Sequence, residues 1–93
     1  MAGPMASAKP AKSPHSSEYQ AFLALLVQAR KDAGLSQVQA AERYGKPQSF
    51  ISKCESGERR VDVVELVRFC EIYGIEMVKF VHDLVKITNF SQI

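Results

Sequence analysis

Four glycines, Gly34, Gly45, Gly57 and Gly74, cut the stretch from about residue 18 to about residue 88 into five segments whose apolar residues recur at helical spacing. The first segment, about 18–33, carries Tyr19, Phe22, Leu23, Leu26, Val27 and Arg30 on one face, with Ser16 or Ser17 as its N-cap. The second, about 36–44, opens on Ser36 with Gln39 three residues on, the reciprocal capping pattern, and points Val38, Ala41 and Tyr44 inward. Its small Ala40 and Ala41 let another helix come close. The third, about 47–55, starts at Pro47, where a missing N–H costs nothing, and turns Ile51 and Cys54 inward. Gln48, Ser49, Ser52 and Lys53 are left on its other face. Asp62 caps a fourth, about 62–73, whose apolar face is Val63, Leu66, Val67, Cys70 and Tyr73. The fifth, about 76–87, carries Met77, Phe80, Val81, Leu84 and Val85. No strand signal of any length occurs, so the spacing predicts an all-α domain of five helices.

Length and composition narrow the classes. The 93 residues suit one small domain, and a hydrophobic share of 46% supports a real core. No apolar run nears the ~20 residues of a membrane span, and Met1 to Ser17 holds no signal-peptide core. A soluble, cytoplasmic protein is expected. Residues 1–17, with Pro4, Pro10 and Pro14 among Ala, Ser and Lys, read as a disordered tail. It is either a basic arm for phosphates or a leader with no specific role. Residues 18–88 form the domain, and 89–93 a short C-terminal tail. The net charge of +2 comes from Lys9 and Lys12 in the first tail, so a case for nucleic acid has to rest on local clustering. Arg43, Lys46, Lys53, Arg59 and Arg60 supply it. Cys54 and Cys70 form no C-x-x-C pair and lie far in sequence from His15 and His82, so neither a zinc site, a cofactor nor a disulfide is expected.

Two short helices joined by a tight Gly-containing turn are a helix-turn-helix by geometry. The stretch LSQVQAAERYGKPQSFISKCESGERR resembles the phage-repressor (Xre/Cro-type) helix-turn-helix family, and the likeness runs from about 20 to about 88. Leu35, Ser36, Gln37, Ala41, Gly45, Gln48, Ile51, Ser52, Glu55 and Gly57 carry it. Pro47 departs from the usual Ser or Thr cap, and Cys54 stands where a larger aliphatic residue is usual. The resemblance implies a five-helix repressor-like domain that binds double-stranded DNA and regulates transcription as a repressor-type dimer.

Chemistry and resemblance together assign roles. A recognition helix needs hydrogen-bonding side chains near its N-terminus: Gln48 suits adenine N6/N7 in a bidentate way and Ser49 can donate or accept. Lys53, one turn on, reaches guanine or a phosphate. Phe50 meets a thymine methyl or a sugar, or else is a half-buried packing residue. Gln37 sits where backbone N–H groups and its own amide suit a phosphate, and the resemblance has it brace Gln48 as well. Ser52, Ser56, Arg59 and Arg60 are expected on phosphates, helped by Arg43 and Lys46; an ordinary solvated surface is the plainer reading of the arginines. The resemblance pairs Glu55 with Arg30 in a structural ion pair.

Cys54 is read as an inert core thiol, a redox switch beneath the recognition helix being the alternative. No catalytic spacing surrounds His82 and no phosphate loop occurs, so no enzyme is expected. One recognition helix covers only about 4–5 base pairs, so a homodimer on half-sites is expected, with the fifth helix, Phe90 and Ile93 as the contact. The alternative is an antitoxin-like module that binds a toxin or another partner protein through the same fold.

Overall fold

The computed structural model describes residues 15–88. The expected tails at 1–14 and 89–93, with Lys9, Lys12, Phe90 and Ile93, lie outside the described residues. The described chain is helical throughout: α1 Ser17–Asp32, α2 Gln37–Tyr44, α3 Gln48–Ser56, α4 Val63–Tyr73 and α5 Met77–Thr88. Residues 15–17, placed in the tail from their composition, belong to the folded body. Ser17 opens α1, and the Ser16 hydroxyl caps it by accepting from the Tyr19 N–H at 3.1 Å.

The caps follow the side chains that can reach orphan N–H groups. Ser36 and Gln39 close the reciprocal box on α2, at 3.1 Å and 2.9 Å. Asp62 and Glu65 close a second on α4, at 2.8 Å and 3.0 Å. Pro47 is the N-cap of α3 and offers no side-chain bond. The turn between α2 and α3 depends on Gly45, whose φ of +86° lets its N–H reach the Ala41 carbonyl at 2.8 Å.

Ile51 and Cys54 of α3, Ala40 of α2, Leu26 of α1 and Phe69 of α4 share one sealed core. Phe69 is its centre: its ring lies 4.8 Å from Tyr44, 5.8 Å from Tyr73 and parallel to Phe50 at 6.3 Å. Phe80 fixes α5 to α1 through an edge-to-face contact with Phe22 at 5.7 Å.

In three helices one or two expected inward residues face out, while Ala41, Tyr44, Leu66, Cys70, Tyr73 and Phe80 are buried as expected. Val38 points outward, 55% exposed, and Ala40 is buried beside Ala41 and Tyr44. That stripe places Gln37, three and four residues before them, on the inward side of α2. In α4, Val63 (67% exposed) and Val67 (42%) face out while Phe69 is fully buried. Both stripes have helical spacing, and the larger ring wins because burying it removes more apolar surface from water. On α5 Phe80 is buried and Val81 exposed, with Met77, Leu84 and Val85 half-buried.

Candidate nucleic-acid interface

α2 and α3 pack closely across the turn at 45–47, with Ala40 and Ala41 on one helix against Ile51 on the other. The outer face of α3 then carries Gln48, Ser49 and Lys53, all exposed, with Ser52 half-buried beside them. Arg43 and Lys46 flank the turn, both exposed.

A serial hydrogen-bond chain ties this face to the interior. Arg30 of α1 grips Glu55 of α3 through Nε at 2.6 Å and Nη2 at 3.1 Å. Its Nη1 donates to the Leu35 carbonyl at 2.8 Å. Both side chains are nearly buried, 10% and 6% exposed, so the pair has no water to fall back on. Glu55 Oε1 also accepts from Gln37 Nε2 at 2.9 Å, and Gln37 Oε1 accepts from Gln48 Nε2 at 2.6 Å. Gln48 thereby spends one amide N–H on its brace. The remaining N–H and the carbonyl oxygen are the donor–acceptor pair that an adenine edge requires.

Phe50 is a packing residue. It is half-buried against Tyr44 at 5.0 Å and Phe69, and the Arg59 guanidinium covers its ring at 4.9 Å, with Lys46 at 5.5 Å. The packing alternative is present in the structure, and the ring is left half-buried.

Arg59 is also engaged. Its guanidinium forks onto Glu65 at 2.9 Å and 2.8 Å. Those bonds raise the guanidinium above its ordinary range and hold the Glu65 carboxyl below its own. The expected phosphate ligand is therefore already paired with a carboxylate, while its side chain stays 44% exposed. Arg60 stacks on the Tyr19 ring at 4.2 Å and donates to His15 Nδ1 at 3.0 Å. Ser56 is exposed, and its hydroxyl donates to the Lys53 carbonyl at 3.2 Å and accepts from the Glu58 N–H at 3.3 Å. Burial pushes the Cys54 thiol up, away from the reactive thiolate. His82 is an exposed side chain on α5.

Glu65, His15 and Arg68 were not picked out from sequence. Arg68 donates to the Tyr44 carbonyl at 3.0 Å and so closes the end of α2. Glu65 had a sequence signal, its place three residues after Asp62; His15, 42 residues from Gly57, had none.

The short α2, the tight turn and the polar outer face of α3 define a helix-turn-helix domain. Residues 21–78 match the profile of a family described as "Helix-turn-helix domain". A solved structure, an XRE-family like protein from Pseudomonas syringae pv. tomato str. DC3000, is 42% identical, with a TM-score of 0.74 over 87% of this chain and 99% of that one. The chain belongs to the Xre-type helix-turn-helix family, whose members are in general DNA-binding regulators. No curated protein matches it. Among the described residues no helix is long and apolar enough to cross a membrane.

Proposed function

We propose that this protein is a sequence-specific reader of double-stranded DNA that places α3 in the major groove and regulates transcription from the site it covers. The observation that carries this reading is the Arg30–Glu55–Gln37–Gln48 chain, which presents a pre-oriented amide on an exposed helix face. Ordering a glutamine costs rotamer entropy, and here that cost is met in the free protein. Gln48 and Ser49 read bases, and Lys53 a base or a phosphate. Arg43, Lys46, Ser52, Ser56 and Arg60 lie on phosphates, as do the N–H groups at the start of α2 beside Gln37. Arg59 joins them only by leaving Glu65.

The protein acts in the cytoplasm as a homodimer, and repression follows from occlusion of the covered site. Exposed Val63, Val64 and Val67 on α4 and Val78, Val81 and Ile87 on α5 supply apolar surface for a second copy. A toxin-like partner on the same surface is the competing occupant.

Selection from a random duplex pool, followed by titration of the winner at two salt concentrations, tests the reading. A selected site with a log–log salt slope of several units is expected. Binding with no sequence preference overturns it, and sedimentation of the complex distinguishes a dimer from a monomer.

A further inference from the structure

The residue that enters the fold just ahead of α1 makes contacts that the DNA-reading surface described above does not use. His15 Nε2 lies 2.5 Å from the Gly57 carbonyl oxygen, at the end of α3. Its Nδ1 lies 3.0 Å from Arg60 Nη1. Its ring leans on Tyr19 at 4.6 Å, and Tyr19 in turn stacks under the Arg60 guanidinium and accepts from the Val61 N–H at 3.0 Å. A carbonyl oxygen only accepts and a guanidinium only donates, so the partners dictate the imidazole: proton on Nε2, lone pair on Nδ1. Gly57 is shaped to this ring. A Cβ there would stand 2.8 Å from His15 Cδ2 and 2.9 Å from Leu23 Cδ1, and its φ is +86°.

We propose that His15 is a positioning residue for DNA binding: as the Nε2–H imidazole it ties the end of α3 to Arg60 and holds that guanidinium in place. This rests on the reading of α3 as the DNA-facing helix. In the other tautomer Nδ1–H would face an N–H of Arg60 and the bare Nε2 would face a carbonyl oxygen, so both bonds would be lost. The groups about the ring are Arg60 from the loop after α3 and Tyr19 from α1. Glu18 and Asp62 line the groove that adjoins it through those two residues.

Long-range proton–nitrogen NMR correlation on the whole protein reads the ring directly. In the neutral ring the proton is expected on Nε2. An Nδ1–H tautomer overturns the proposal. For the role in binding, the probe is the duplex selected by the wild-type protein. Wild type is expected to bind it roughly fivefold more tightly than His15→Phe, the worth of about one ordinary hydrogen bond. In an Arg60→Gln background the His15→Phe effect vanishes, and His82→Gln behaves as wild type. Should His15→Phe fail to fold, the ring tautomer read on the wild-type protein tests the hold by itself. A His15→Phe effect that persists without Arg60 overturns the role. A wild-type protein that selects no duplex overturns the DNA reading and this role with it. Selection with no His15 effect overturns the role alone.

Discussion

Gln37 accepts from Gln48 at 2.6 Å while donating to Glu55 at 2.9 Å, so the exposed Gln48 amide is oriented by a half-buried one. Gln37 holds this middle place because the buried stripe of α2 is Ala40, Ala41 and Tyr44, which turns the first residue of the helix inward. Loss of the brace is therefore expected to blur reading more than to weaken folding. Gln37→Ala should lower discrimination at the base pair read by Gln48 by about 1 kcal/mol, and Gln48→Ala by about 1–3 kcal/mol. Titrations against a panel of single-base variants of the selected duplex check this; a uniform loss across the panel for either variant contradicts it.

The Arg30–Glu55 pair sits where neither charge can be hydrated. Glu55→Ala leaves a nearly buried guanidinium without its counter-charge and is expected to cost about 3–5 kcal/mol in urea unfolding. Arg30→Met with Glu55→Leu removes both charges and should cost much less than either single change. Additive losses would show that the pair is not a unit.

Glu65 pairs with Arg59 at 2.8 Å. Glu65→Gln keeps a residue able to complete the capping box but removes the carboxylate, so the freed arginine should raise DNA affinity and steepen the log–log salt slope by about 0.9. Unchanged slope would place Arg59 off the DNA. The same contact has a pH signature. Because the Glu65 carboxyl is held below its ordinary range by Arg59 and by the Asp62 N–H, its contribution to stability is fully present above the unfolded value. That contribution is lost as the pH falls through the folded value. Acid melting curves of wild type and Glu65→Gln should converge at the low end.

Cys54 is fully buried and its thiol is pushed up by desolvation. An aromatic disulfide reagent should therefore modify it only as fast as the protein opens, and mild oxidant should leave DNA binding intact. Rapid modification in the native state would restore the redox reading.

Element positions were legible because each helix carries its own signals: Ser36, Asp62 and the terminal glycines act within a few residues of themselves. The Arg30–Glu55 pair was legible only through family likeness, since 25 residues separate the partners. Burial direction was harder. Val38 and Val63 satisfy helical spacing as well as Ala40 and Phe69 do, and only the rest of the core decides between stripes. Long-range polar contacts were least legible: whether Arg59 meets Glu65, or His15 meets Gly57, depends on how loops fold back.

The hydrogen-bond chain from Arg30 to Gln48 crosses three helices, so inheritance and contact part company along it. A genetic screen for lost operator recognition should return changes at Arg30, on a helix that sits behind the reading face. Suppressors of those changes should fall at Glu55 before they fall at any residue that faces a base.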